Sequence, residues 1–146
     1  MLVAFNKPYR VLSQFTDEQG RQTLADFIKI KNIYAIGRLD YASEGLILLT
    51  DDGRLKNQLA NPKYKVNKVY LAQVEGLATG LALEKLRKGV ILKDGTAKAV
   101  QIKILAKQPD FIWERTPPIR VRKNIPTSWV EITINEGRNR QVRRMM

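Results

Sequence analysis

Three short runs alternate with a period of two, and they decide what this chain can fold into. Val69, Leu71 and Gln73 alternate with Tyr70, Ala72 and Val74. Val100, Ile102 and Ile104 alternate with Gln101 and Lys103, and Val130, Ile132 and Ile134 repeat the pattern. Successive side chains of a strand point to opposite faces, so each run reads as a strand. Leu2 to Phe5 and Ile33 to Ile36 read as two more. Leu46 to Leu49, bounded by Gly45 and Asp51-Asp52-Gly53, reads as a buried strand. Helices fall between them. Thr23-Leu24-Ala25-Asp26 has the form of a capping box opening a helix through Ile28. Leu55 and Leu59 share one face of a short helix that Pro62 ends, and Thr79 caps a helix carrying Ala82, Leu83 and Leu86. Residues 107–127 hold four prolines and read as a long irregular excursion. EGRNRQVRRMM, residues 136–146, starts a last helix without a stop signal, from which the chain is expected to end inside an element. Strands and helices mix without regular βαβ spacing, which gives an α+β class with a largely antiparallel sheet. A length of 146 residues suits one compact domain or two small lobes sharing a core.

Charge points to the partner. Lys and Arg number 26 against 14 Asp and Glu, a formal net charge of +12, which fits a polyanion such as nucleic acid. Cysteine and histidine are both absent. That excludes thiolate nucleophiles, disulfides, zinc–cysteine sites, imidazole bases and the Ser-His-Asp triad. Neither a Walker loop nor a GxGxxG motif is present. No apolar run approaches the roughly 20 residues that span a bilayer, and the N-terminus lacks the pattern of a signal peptide. The expectation is a cytoplasmic protein with no membrane contact.

Four stretches could carry chemistry. In GRLDYASEGLILLT, residues 37–50, Arg38 and Asp40 sit two residues apart before the buried strand. Asp40 reads either as a turn residue or, with His and Cys missing, as one of the few remaining covalent nucleophiles. Tyr70 reads either as a ring covering the core or as a ring stacking on a nucleobase. EGRNRQVRRM, residues 136–145, places Arg138, Arg140, Arg143 and Arg144 within seven residues. Such a block is either a solvated basic face or a phosphate-binding one, with one arginine free to turn inward toward Asp40. The excursion interleaves Phe111, Trp113 and Trp129 with Arg115, Arg120, Arg122 and Lys123, either to pin a loop to the core or to hold RNA. Asp51-Asp52 before glycine reads as a turn.

NKPYRVLSQF (6–15), GRLDYASEGLILLT (37–50), KVYLAQVEG (68–76) and EGRNRQVRRM (136–145), in this order, resemble the motifs of the pseudouridine synthases that modify bacterial ribosomal RNA. The likeness is to the branch typified by the small-subunit enzyme A and its large-subunit relatives, and it extends over essentially the whole chain. It implies two small α+β lobes around a central mixed, largely antiparallel sheet with a cleft, forming a catalytic domain over residues 1–146. No S4-type module is expected before the first motif, and the family pattern is expected to continue past Met146. The resemblance also implies isomerisation of a flipped-out uridine in large-subunit (23S) ribosomal RNA by a monomer, without metal or organic cofactor. Asp40 would be the nucleophile and Tyr70 would stack on the uracil. Arg143 would pair with Asp40 and orient it. Arg38 would fill the gap left by the base, with Arg138, Arg140, Arg144, Arg115, Arg120, Arg122 and Lys123 along the RNA.

The chemistry accounts for the pairing of Arg38 with Asp40. Uridine isomerisation breaks N1–C1′, rotates the uracil and forms C5–C1′. The base must first leave the stack, at a cost of a few kcal/mol, and a nearby cation can occupy the hole. A carboxylate is already ionised at neutral pH. It needs orientation and a dry pocket, to which Leu46 and Leu48 are expected to contribute. Two rival readings remain: a non-catalytic RNA-binding or ribosome-assembly module, and a metal-dependent nuclease using Asp40, Glu44 and Asp51.

Overall fold

The computed structural model describes residues 1–146, which divide into two compact units. The first unit comprises residues 1–64 with 115–117, the second residues 65–114 with 118–146.

In the first unit, β1 (Leu2–Lys7), β2 (Tyr34–Ile36) and β3 (Gly45–Thr50) form an antiparallel sheet in the order β1-β3-β2. The register pairs Leu2 with Thr50 and Lys7 with Gly45. Alternation puts Val3, Phe5, Ile47 and Leu49 over a core that includes Leu24 and Ile33. The capping box at Thr23 forms as expected. The Thr23 hydroxyl accepts from the Ala25 amide, and Asp26 accepts from the Thr23 amide. The expected helix through Ile28 shortens to one 3₁₀ turn, Leu24–Asp26. Helix nucleation is costly, and here Leu24 and Ile28 are both drawn into the core instead of onto a longer helical face. Asp52 caps α1 (Gly53–Ala60), accepting from the amides of Arg54 and Leu55, and the helix stops at Asn61, before Pro62. Asp51 pairs with the N-terminal ammonium at 2.6 Å.

In the second unit, β4 (Lys68–Glu75), β8 (Thr127–Ile134) and β7 (Gln101–Leu105) form an antiparallel sheet in the order β4-β8-β7. Ile102, Val130, Ile132 and Ile134 are buried against Leu83 and Leu86 of α2 (Gly80–Lys88) and Met145 of α3 (Gln141–Met145). Each such aliphatic side chain contributes about 2 kcal/mol on burial. The hairpin β5 (Val90–Leu92) and β6 (Gly95–Ala97) pairs Leu92 with Gly95 around the turn Lys93-Asp94. Its strands, of three residues each, are too short to show a period in the sequence. The stretch between β7 and β8 is irregular, as its prolines require.

The arginine block departs from expectation. Only Gln141–Met145 is helical, and Arg140 precedes the helix with φ of 50°. Arg138 and Arg140 therefore lie in a turn and do not share a helical face with Arg144.

Candidate active site

The loop of the first unit that holds Arg38 and Asp40, residues 37–44, joins β2 to β3. Gly45, at φ of 117°, allows the sharp entry into β3 that an L side chain would strain. Segment 10–14 laces the loop. The Arg10 amide donates to the Tyr41 carbonyl at 2.9 Å. The Ser13 hydroxyl donates to the Leu39 carbonyl at 2.7 Å and accepts from the Leu39 amide at 3.0 Å. Ser13 is only 6% exposed, so these bonds are shielded from water. Within the loop, the Ser43 amide donates to the Asp40 carbonyl at 3.0 Å. Asp40 is half-buried. Arg38 is exposed, with one guanidinium nitrogen 3.3 Å from the Gln14 side-chain oxygen.

A charged residue, Lys7, also lies among the buried residues of this unit. Its side chain is fully buried, and its ammonium donates to the carbonyls of Pro8 at 2.8 Å and Val11 at 2.7 Å. Burial lowers its pKa to about 8, while the charges of Glu44 and then Asp40 act in the opposite direction. A buried cation thus stands in the field of both carboxylates of the loop. The signal was present in the alternation: Val3, Phe5 and Lys7 share one strand face, and that face is the core.

Leu46 and Leu48 do not supply a dry wall as expected. Leu46 is 66% exposed and Leu48 is half-buried; the buried pair is Ile47 and Leu49. Nor do Asp40, Glu44 and Asp51 gather into a group able to hold a metal ion, so the donor set required by the nuclease reading is not assembled.

In the second unit, Tyr70 pairs with Ile132 in register, and its half-buried ring packs against the core, whereas Val69 is 61% exposed. Arg143 lies exposed on α3. Arg144 grips the Asp94 carboxylate with two bonds, at 2.8 and 3.0 Å, and Arg138 bonds to the same carboxylate at 3.2 Å. Both are expected along RNA, and both direct donors into the β5–β6 turn.

In the excursion, Arg122 pairs with Glu75 at 3.2 Å. The Arg115 guanidinium stacks 4.1 Å from the Tyr9 ring centroid within the first unit. Arg120 and Lys123 are exposed, as are Phe111 and Trp113 at 74% and 69%. No helix is long and apolar enough to cross a membrane.

Comparison with known proteins places the chain among relatives. The profile of the family described as RNA pseudouridylate synthase matches residues 1–146. The chain is 58% identical over 144 residues to the ribosomal large subunit pseudouridine synthase E of Vibrio vulnificus, covering 99% of this chain and 61% of that protein. It is 51% identical to the synthase E of Xanthomonas axonopodis pv. citri, covering 99% of this chain and 77% of that protein. A solved pseudouridylate synthase superposes with a TM-score of 0.72 at 24% identity, over 99% of this chain and 55% of the other. That likeness shows the fold. The chain thus spans about three-fifths of the length of the Vibrio relative.

Proposed function

The chain belongs to the RNA pseudouridylate synthase family, and we propose that it isomerises uridine to pseudouridine in large-subunit (23S) ribosomal RNA, with Asp40 as the nucleophile. The observation that carries this reading is the half-buried Asp40, on a loop tied down by Ser13 and lying in the field of the buried Lys7 ammonium. A reactive carboxylate gains most from fixed placement, because reorganisation is then complete before reaction. Support for the substrate class comes from the net charge and from the names of the two relatives.

The target uridine leaves the stack, and Arg38, exposed at the loop surface, fills the hole. Tyr70 stacks on the uracil, and Arg143 pairs with Asp40 and orients it. The Asp40 carboxylate attacks C1′ as the N1–C1′ bond breaks, the uracil turns, and C5 then attacks C1′ and releases the carboxylate. The proton on C5 passes to water and N1 ends protonated, so atoms balance without a co-reactant. Arg140, Arg120 and Lys123 follow the backbone, with smaller shares from Arg115 and Arg122. Residues 1–146 form the catalytic domain, acting as a monomer in the cytoplasm without metal or organic cofactor.

The test uses large-subunit RNA tritiated at uridine C5. Isomerisation releases tritium to water. A purely RNA-binding module would bind the same RNA and release none, and that result would refute the proposal.

A further inference from the structure

The arginine block depends on a helix that cannot hold itself. α3 has five residues and no side-chain cap at its N-terminus, where Arg140 takes a left-handed backbone. So short a helix does not persist without tertiary support. Two supports come from its own buried face. Met145 is 7% exposed within the second core, and Gln141, 3% exposed, donates to Glu136 at 2.7 Å and accepts from the Arg138 amide at 3.0 Å.

The remaining support is ionic and comes from the β5–β6 hairpin. Arg144 meets Asp94 with both terminal nitrogens, the two-bond fork that fixes orientation as well as distance. Arg138 reaches the same turn from the other end of the block. It donates to the Asp94 carboxylate at 3.2 Å and to the carbonyls of Asp94 and Gly95 at 3.3 Å each. It also reaches the Thr96 carbonyl at 2.9 Å and Glu136 at 3.0 Å. Gly95 makes this possible through its backbone: at φ of 121° the turn presents successive carbonyls to one guanidinium. A Cβ at Gly95 would meet the Arg138 guanidinium only at 3.7 Å, so conformation and not space calls for glycine. The Arg138 Nε is buried without a partner, so the grip rests on the terminal nitrogens. Asp94 and Glu136 balance Arg138 and Arg144 charge for charge. Arg140 and Arg143 lie outside this quartet.

We infer that Asp94 is a positioning residue: by clamping Arg138 and Arg144 to the β5–β6 turn, it fixes the rotation of α3 and so the direction in which Arg143 is presented. Residues on a helix are set about 100° apart, so fixing Arg144 and Met145 fixes their neighbour. The inference rests on the reading of Arg143 as the arginine that orients Asp40. It gives two of the block's four arginines a structural task and leaves the other two for the RNA and for Asp40.

Hydrogen exchange and single-turnover tritium release, measured on the same variants, test it. In Asp94→Asn the amides of Arg144 and Met146, which bond to the carbonyls of Arg140 and Val142, should exchange on the order of tenfold faster. Amides of β4 and β8 should keep their protection. Turnover at saturating RNA should fall roughly tenfold with RNA affinity nearly unchanged. Asp94→Glu, which restores the charge, should recover part of both losses. Wild-type exchange in Asp94→Asn would overturn the clamp. Faster exchange with wild-type turnover would overturn the positioning role. Should Asp94→Asn also lose β4 and β8 protection, Arg144→Lys breaks the fork while keeping the charge, and it carries the same two readouts. A wild-type protein that releases no tritium would instead overturn the isomerase reading, and the clamp would still be decided by exchange.

Discussion

The loop at 37–44 and the stretch at 106–126, which holds nearly all of the excursion, both lack regular structure, but they are held in opposite ways. The first is fixed by short bonds to buried partners, chiefly Ser13 on both the amide and the carbonyl of Leu39. The second is held by exposed ion pairs, Arg122 with Glu75 and Lys107 with Asp110, and by Arg115 stacked on Tyr9. Exposed pairs are worth about 0–1 kcal/mol each, whereas a buried polar group left without a partner costs about 1–3 kcal/mol. The two modes of attachment suit two different tasks. A loop that does chemistry needs one geometry, while a surface that accepts RNA gains from side chains that adapt to it.

The largest expected effect tests the rigid side of this comparison. Ser13→Ala leaves the amide and carbonyl of Leu39 without their shared partner. It should lower stability by about 2 kcal/mol and turnover by roughly tenfold or more, with RNA affinity little changed. Urea unfolding and single-turnover assays measure both. An Asp40 loop that works equally well without Ser13 would break the contrast.

The adaptable side predicts the reverse pattern. Trp113→Ala should weaken binding to large-subunit RNA by about 1–3 kcal/mol, the worth of one stacked base, while turnover at saturating RNA persists. Arg120→Ala and Lys123→Ala should each reduce the slope of log affinity against log salt by about 0.7 for single-stranded RNA. Arg122→Ala should do less, because Glu75 already shares its charge. Affinity measured across a salt series would reveal an excursion that is merely packed: none of the four variants would change it.

The smallest effect is a titration beneath the loop. Lys7 has a folded pKa near 8, lowered from 10.5 mainly by burial. Below pH 8 the buried charge opposes folding. Between about 8 and 10.5 the folded chain has given up a proton that the unfolded chain still holds, so this group's contribution to stability rises with pH. Glu44 and Asp40 both hold the proton on, Glu44 more strongly. Glu44→Gln should therefore move the Lys7 titration further down than Asp40→Asn, as followed by NMR of the lysine side chain. An unmoved titration in both would remove Lys7 from the site.

Much of the fold is legible in the chain because period-two alternation marks β4, β7 and β8 directly, and Thr79 marks a helix start by its side-chain oxygen; Asp52, which reads as a turn residue, also caps α1. The β5–β6 hairpin escapes because three residues cannot display a period. Over 136–146, arginine spacing suggests one helix, but the donors of Arg138 satisfy the hairpin carbonyls and hold that residue in a turn. The site divides similarly. Asp40 and Arg38 stand out by motif, whereas Lys7 required asking why a charged residue occupies the core phase of β1. Asp94 required the fold itself, because its partners are distant in sequence and come together only when the hairpin meets α3.

We propose Asp40 as the nucleophile on a uridine of large-subunit RNA. Tritium release from C5-labelled RNA, with wild type and Asp40→Asn compared at matched RNA saturation, tests it most directly. Release by wild type and none above background for Asp40→Asn is expected, with affinity for RNA within a few fold and Ser13-dependent stability intact. Release by Asp40→Asn at near the wild-type rate would contradict it.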